Sequence, residues 1–332
     1  MRVLLWHVHG SWTTAFVQGP HDYVVPVLPD RGPDGVGRAQ TWDWPSSVSE
    51  LPPDELQHQP FDIVVLQRPH ELDLVRRWTG RRPGIDLPAV YLEHNTPEDS
   101  PCRQRHPLAD RRDIPIAHVT HFNRLYWDNG VAPTTVIEHG IIDPGYRYTG
   151  ELQRGAVVVN EPARRGRMVG ADLITGFADV GPVDLYGMQT QAFVDALPAG
   201  ARPTDALVAH QNLRTQEDMH AELARRRAYL HPMRWTSLGL SLIEAMQLGL
   251  PIVAVAATEA VEAVPAAAGV VSTDPQRLHA AFRTFLNEPA AARAAGVAAR
   301  AAALERYGLA RFLREWDDLL ARTGDQELEL TG

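Results

Sequence analysis

The sequence predicts an α/β protein built of two doubly wound, parallel-sheet domains. Three observations predict it. Short apolar runs without alternation recur along the chain, the pattern of strands buried on both faces. Segments of helical spacing separate them, the order that builds a parallel sheet. The pattern breaks once, near Asp143-Pro144-Gly145 and on to Gln153, and then starts again at residue 156. A chain of 332 residues exceeds one ordinary α/β domain and suits two.

In the first half, residues 2–6, 61–66 and 88–92 read as buried strands, and 117–120 and 135–137 as further ones. Residues 71–78 and 123–129 read as helices, and the Gly/Pro/Asp-rich 29–37 as a surface loop. The second half begins with strands at 156–159 and 183–186 around a helix at 170–177. A helix at 217–227, a short strand at 228–230, a helix at 241–248 and strands at 251–255 and 269–271 follow. Helices at 275–286, 290–305 and 309–321 close the chain, with a frayed polar tail after residue 323. The expected division is 1–150, 151–308 and 309–332. Ligands in such folds sit beyond the carboxyl ends of the strands. The turns after Trp6, Leu92, Val159 and Leu230 are therefore expected to line a cleft between the domains.

Composition removes several function classes. Hydrophobic residues make up 44% and charged residues 22%, as in a globular protein. The net charge of −9 argues against a nucleic-acid partner, which needs a basic field. All 32 basic residues are arginine. That rules out a lysine Schiff base and a phosphate-loop lysine, so any cationic phosphate contact falls to arginine. No apolar run nears the roughly 20 residues of a membrane span, so no stable membrane insertion is expected. Residues 1–8 lack the make-up of a signal peptide, and the lone Cys102 has no partner for a disulfide. The expected location is the cytoplasm.

The chemistry concentrates in Trp235-Thr236-Ser237-Leu238-Gly239-Leu240-Ser241-Leu242-Ile243-Glu244. This stretch follows a short strand and opens a helix. Gly239 lets a ligand approach the backbone closely. The amides of Leu240 and Ser241 lie at a helix N-terminus, where free N–H groups and the dipole attract an anion. Glu244, about one turn further on, is placed to accept hydrogen bonds from a ribose diol. A nucleoside diphosphate suits all three.

The same stretch, with Glu244-Ala245-Met246 and Gly249-Leu250-Pro251-Ile252-Val253-Ala254, resembles the C-terminal signature of the retaining GT-B glycosyltransferases, specifically glycosyltransferase family 4. That family carries paired glutamates around a Phe-Gly-Leu core, and the second maps onto Glu244. The resemblance implies two Rossmann-like domains facing a cleft, with a C-terminal helix that packs back on the N-terminal domain. It implies an acceptor side in the N-terminal domain and a nucleotide-sugar side in the C-terminal one. Arg164, Arg165 and Arg167 fall around the family's diphosphate-binding lysine, with Arg165-Gly166 the best match to Lys-Gly. Gly10 is what remains of a glycine pair after the first strand, and His94 matches a turn near the reacting sugar.

Two departures stand out. Thr236 occupies the position of the first glutamate, which contacts the donor sugar, and His139 that of an interdomain Asn. The resemblance implies transfer of a hexosyl-type sugar from a UDP-, GDP- or ADP-sugar to an acceptor hydroxyl, with retention and neither metal nor cofactor. The acceptor could be a small molecule, a glycan or a lipid-linked molecule, selected around residues 10–21 and 94–106. Catalytic roles fall to His94, Arg165 and Arg167. Donor contacts fall to Gly10, Arg164, Arg165, Thr236, Gly239, Leu240, Ser241 and Glu244. A nucleotide-sugar binding protein without transfer activity, an epimerase and a phosphorylase remain open.

Other motifs read as structural. His7-x-His9, His118-x-x-His121 and Glu217-x-x-His220 lack a full ligand set for a metal. Ser241 is not in a Gly-x-Ser-x-Gly elbow, and no Gly-x-Gly-x-x-Gly follows a strand. Arg76, Arg77, Arg81 and Arg82 read as a solvated helix end with its turn, and Trp42 and Trp44 as local packing.

Overall fold

A computed structural model of the chain describes residues 1–98, 103–198, 206–211, 213 and 215–330, of which 326–330 by their backbone alone. Cys102 and the middle of the 94–106 segment lie outside the described residues. The chain forms two compact units, Met1–Ile142 with Leu309–Gly332, and Asp143–Gly308.

In the first unit, β1 (Arg2–Leu5), β2 (Asp22–Pro26), β3 (Val48–Leu51), β4 (Ile63–Leu66), β5 (Ala89–Glu93), β6 (Ile116–His118) and β7 (Thr134–Val136) make one sheet. Its order is β3-β2-β1-β4-β5-β6-β7, with every pairing parallel. Helices α1 (Gly10–Phe16), α2 (Pro53–Leu56), α3 (Glu71–Thr79), α4 (His121–Tyr126) and the C-terminal helix (Leu309–Leu330) complete the unit. β4 and β5 are buried throughout because their runs offer no polar face before Glu93. α3 carries Glu71 and Asp73 in its first turn and Arg76 and Arg77 in its last, matching the helix dipole, and stops at the left-handed Gly80. Arg81 and Arg82 hold the next turn, through Phe61 O at 2.7 Å and Asp86 Oδ2 at 2.9 Å.

The second unit holds β8 (Leu152–Val158), β9 (Val183–Tyr186), β10 (Leu207–His210), β11 (Arg226–His231), β12 (Ile252–Val255) and β13 (Gly269–Ser272). Their order is β10-β9-β8-β11-β12-β13, again wholly parallel. The helices are α5 (Pro162–Arg165), α6 (Ala171–Ala178), α7 (Thr190–Ala196), α8 (Gln216–Arg225), α9 (Leu240–Leu248), α10 (Ala260–Ala263), α11 (Pro275–Asn287) and α12 (Pro289–Tyr307). α12 approaches the end of α9 closely: a Cβ on Gly296 would lie 1.9 Å from Gly249 O. Among the described residues no helix is long and apolar enough to cross a membrane.

Several elements depart from their sequence-based expectation. Residues 10–16, expected in an acceptor loop, are helical, because Trp12, Ala15 and Phe16 bury one face into an aromatic group with Phe312 and Trp316 of the C-terminal helix. Strands β2, β3 and β10 go unannounced, since Asp22, Pro26, Ser49, Glu50 and His210 interrupt their apolar pattern. α4 ends at Tyr126, not at 129, because Trp127 turns extended and donates from its indole to Asn95 O at 2.8 Å. The helix expected at 217–227 stops at Arg225. Arg226 instead opens β11, with its guanidinium 2.7 Å from the buried Asp184. Arg154 and His210 also reach Asp184, at 2.8 and 3.3 Å. Burial alone would raise that carboxyl's pKa, but these hydrogen bonds hold it well below the usual range. The C-terminal helix runs on to Leu330 rather than ending near 321. Trp44 packs locally as expected, its indole on Thr14 Oγ1 at 2.8 Å and its ring 4.7 Å from His7.

Candidate functional site

Each sheet changes strand order once, between β1 and β4 in the first unit and between β8 and β11 in the second. Loops leaving such a pair part to opposite faces and open a crevice at the carboxyl edge, where doubly wound folds take their ligands. The predicted site residues lie on the loops that leave these two sheets at their carboxyl edges or in the helices those loops open, α1, α5 and α9.

In the second unit the edge is strained. Glu161, Gln189 and Thr258 follow β8, β9 and β12, and all three have positive φ (53°, 59° and 50°). Such a conformation costs a non-glycine residue about 1–3 kcal/mol and concentrates at ligand sites. The loops after β8 and β9 are stitched together. Met188 N donates to Asn160 Oδ1 at 2.9 Å, and Glu161 N to Met188 O at 2.8 Å.

The segment after β11 is built around His231. The ring is buried, its Nδ1 has no hydrogen-bond partner, and burial lowers its pKa to about 4. It lies against Gly239, the residue before α9, where an added Cβ would come 2.9 Å from His231 Cε1. Gly239 has an ordinary negative φ of −67°, so the glycine is needed for the imidazole's approach and not for a turn. No side chain caps α9, and its first turn carries no acidic residue. Leu240 and Ser241 thus begin a helix whose leading amides face an uncapped end. The hydroxyl of Ser241 accepts from Tyr229 Oη at 2.9 Å. Thr236 Oγ1 is buried without a partner. Glu244 is buried, and its Oε2 accepts from Gln216 Nε2 at 2.7 Å.

The predicted arginines are already engaged. Arg164 pairs with Glu161 at 3.1 Å, and Arg165 is the last residue of α5. Arg167 bonds Asp172 at 2.8 Å. Sequence reasoning missed Arg234, which reaches the same Asp172 at 2.9 Å. Its amide and that of Trp235 also donate to Met168 O, at 2.9 and 3.1 Å. The Arg234 hydrogen bond holds the Asp172 carboxyl below its usual range. The segment leading into α9 is thereby laced to the arginine-bearing turn. Two cations on one carboxylate leave a net positive charge there, suited to an anionic group.

In the first unit His94 is the centre. Gln67 Nε2 donates to Trp6 O at 2.6 Å, which turns Gln67 Oε1 toward His94 Nε2 at 3.2 Å. His94 Nε2 therefore carries the proton, and Nδ1 is an acceptor. The His94 ring lies 3.8 Å from that of His9, 6.3 Å from that of His139 and 5.5 Å from that of Trp12. Burial, then the neighbouring His9 and His139, push the pKa of His94 well below its ordinary value. Burial lowers His139 to about 3 and His9 to about 4. The group is three uncharged imidazoles from the loops after β1, β5 and β7. His139 Nδ1 is buried without a partner. His106 accepts from Leu108 N at 3.1 Å through Nδ1, so its Nε2 donates to Glu93 at 3.1 Å and fixes the turn bearing His94. Gly10 opens α1 with ordinary van der Waals room for a Cβ, 3.8 Å from its nearest neighbours. Among the described residues no group of three or more His, Cys, Asp or Glu is placed to hold a metal ion.

The roles of His9, Gln67 and His231 carry no local sequence signal beyond their position at or just after the end of a buried strand. Arg234 could have been suspected from its place inside the signature segment.

Residues 201–302 match a protein-family model described as glycosyl transferases group 1. No curated protein matches the chain. Among solved structures, the chain is similar to TarM of S. aureus, crystallised with fondaparinux, alpha-GlcNAc-glycerol and UDP, at 13% identity and a TM-score of 0.64. That likeness covers 78% of this chain, which spans only 55% of the TarM chain. The sucrose-phosphate synthase of Thermosynechococcus elongatus is similar over 100% of both chains, at 13% identity and a TM-score of 0.72. HepE of Anabaena, solved with UDP, is similar over 97% of this chain and 100% of its own, at 13% identity and a TM-score of 0.70. At such identities the likeness is one of fold, two Rossmann-like α/β units of the GT-B type.

Proposed function

We propose that this protein is a glycosyltransferase that moves a sugar from a nucleoside-diphosphate sugar to an acceptor hydroxyl, with retention and without a bound metal. The observation that carries the reading is the uncapped N-terminus of α9 at the strand-order crevice of the second unit, with the buried Glu244 behind it. Its place within the stretch matching the glycosyl transferases group 1 model supports it.

In this reading the amides of Leu240 and Ser241 receive the diphosphate, and Glu244 receives the ribose diol. Arg165 and Arg167 meet the negative charge that grows on the diphosphate as it departs, Arg167 exchanging Asp172 for phosphate. The sugar left behind is oxocarbenium-like, and the acceptor hydroxyl attacks from the face the diphosphate leaves. His94 Nδ1, uncharged at neutral pH, accepts a hydrogen bond from a sugar hydroxyl. The acceptor, a small molecule, a glycan or a lipid-linked molecule, is assigned to the first unit.

A thermal-shift series with UDP-, GDP- and ADP-sugars tests the nucleotide half, since a ligand that binds only the folded state raises its stability. Absence of stabilisation by any of them would reject the reading. Glu244→Ala is expected to weaken binding of the preferred nucleoside diphosphate by about 1–3 kcal/mol, the scale of a charged hydrogen bond. Isothermal titration checks it, and unchanged affinity removes Glu244 from the site.

One observation favours a second reading. Thr236 sets a neutral, buried hydroxyl where the related family has a carboxylate. A nucleotide-sugar binding protein without transfer activity would fit that change. Release of nucleoside diphosphate in the presence of any acceptor eliminates it.

A further inference from the structure

We propose that Gln216 and His220, on α8, are positioning residues that aim the Glu244 carboxylate at the ribose of the bound nucleotide. The inference rests on the nucleotide-sugar reading above and assigns that site two residues outside the signature segment.

The three side chains contact one another. Gln216 Nε2 lies 2.7 Å from Glu244 Oε2 and 3.1 Å from His220 Nε2. His220 Nε2 lies 3.5 Å from the same Glu244 oxygen. An ionised carboxylate only accepts, so the Gln216 side chain must turn its NH2 toward it. The second N–H of that NH2 then points at His220 Nε2, which sets His220 as the Nδ1–H tautomer. Each member thus fixes the orientation of the next.

The group is also anchored from behind. Gln216 is the first residue of α8, after a capping box in which Thr215 Oγ1 accepts from Asp218 N at 3.1 Å and Asp218 Oδ2 accepts from Thr215 N at 3.1 Å. Gln216 and His220 are four residues apart and share one face of α8. Glu217, between them, is exposed and forms an ion pair with Arg147. Glu244 is 2% exposed, so its carboxylate has lost most of its water and is sensitive to each remaining donor. A carboxylate offers about four acceptor sites, and Gln216 takes one of them on Oε2. That bond restrains how the carboxylate can turn and hence where its other acceptor sites point. Precision of this kind in the layer behind a ligand contact is what preorganised sites require.

The test separates aiming from general support of the fold. Wild type, Gln216→Leu, His220→Leu and His220→Gln are titrated with UDP, GDP and ADP, and then with the 2′,3′-dideoxy form of whichever binds. Thermal unfolding of each variant runs alongside. Gln216→Leu is expected to weaken the ribose form about tenfold, the scale of one charged hydrogen bond, and the dideoxy form less than about twofold. His220→Leu should show the same selectivity, smaller in size, and His220→Gln, which keeps a polar partner for Gln216, should restore it. Turnover should lose mainly through KM, since the ribose is remote from the reacting bond. If Gln216→Leu fails to fold, the two His220 variants carry the same comparison. Equal weakening of both ligands, or of neither, overturns the inference while the nucleotide reading stands. A wild type that binds none of the three diphosphates overturns both.

Discussion

Acidification from pH 6.5 toward 4 is expected to unfold this protein, the unit Met1–Ile142 with Leu309–Gly332 before the unit Asp143–Gly308. The cause is a set of histidines held neutral by burial. His94, His118 and His139 belong to the first unit and His231 to the second, and all four are buried. Burial lowers His118 and His139 to about 3, His231 to about 4, and His94 well below its ordinary value. Released into water, each ring binds a proton below about 6.5. Between that pH and the lowered values the unfolded chain holds more protons than the folded one. The unfolding free energy therefore falls as pH falls, by up to about 1.4 kcal/mol per pH unit for each ring. Three rings in one unit together remove up to about 8 kcal/mol over two pH units, the scale of a whole domain's stability of about 5–15 kcal/mol.

One buried carboxylate, Glu71 in the first unit, opposes the trend. Burial raises its pKa, so the folded state takes up its proton before the unfolded one, offsetting at most one ring. Asp184 does not compete in this window. Asp184 is held below its usual range by His210, Arg154 and Arg226, so the stability it contributes is present above about pH 3.9 and is lost only below it. Urea unfolding from pH 7.5 to 5, followed by tryptophan fluorescence, measures the slope. Trp6, Trp12 and Trp316 are buried in the first unit and report on it. A total slope below about 1.4 kcal/mol per pH unit at pH 5.5 would mean that no more than two of the four rings stay neutral, once the opposing Glu71 is counted. His118→Leu should flatten the slope by about one proton, since that ring lies away from the His9, His94 and His139 group.

Those histidines also mark where the sequence stops being readable. The strands that carry them are legible, because runs such as Ile63-Val64-Val65-Leu66 and Ile252-Val253-Ala254-Val255 have no polar face and can only be buried. The helix start at Gly239 and the uncapped amides after it are legible for the same local reason. What surrounds them is not. Gln67 defines the His94 tautomer through Trp6 O, a contact between residues 61 positions apart. Gln216 reaches Glu244 across 28 positions, by the packing of α8 on α9. In the sequence Gly239 offers room for a ligand, and in the fold it is first of all room for His231. Edge strands such as β10 fail for a different reason: partly solvated, they need no continuous apolar run, and His210 at its end serves Asp184.

Gly170→Ala is expected to destabilise the second unit by about 3 kcal/mol and to weaken nucleotide binding with it. Gly170 links the turn at residues 166–169 to α6 with φ 71° and ψ 29°, a left-handed conformation that costs an alanine about 1 kcal/mol. Space adds the larger part. A Cβ there would lie 2.0 Å from Pro232 O, a backbone atom that cannot swing away as a side chain could. Pro232 follows His231 and begins the segment that leads to α9, so relief of the clash must move that segment or the arginine turn. Either shift strains the bonds from Arg234 N and Trp235 N to Met168 O. Gly80→Ala supplies the control. It has nearly the same φ, 74°, with nothing within 4 Å of the added Cβ, and should cost only about 1 kcal/mol. Urea midpoints of the two variants give the difference, and titration with the preferred nucleoside diphosphate gives its functional consequence. Equal costs for the two alanines would show that the approach of Pro232 to Gly170 relaxes freely. The route from the arginine turn to the N-terminus of α9 would then be soft rather than fixed.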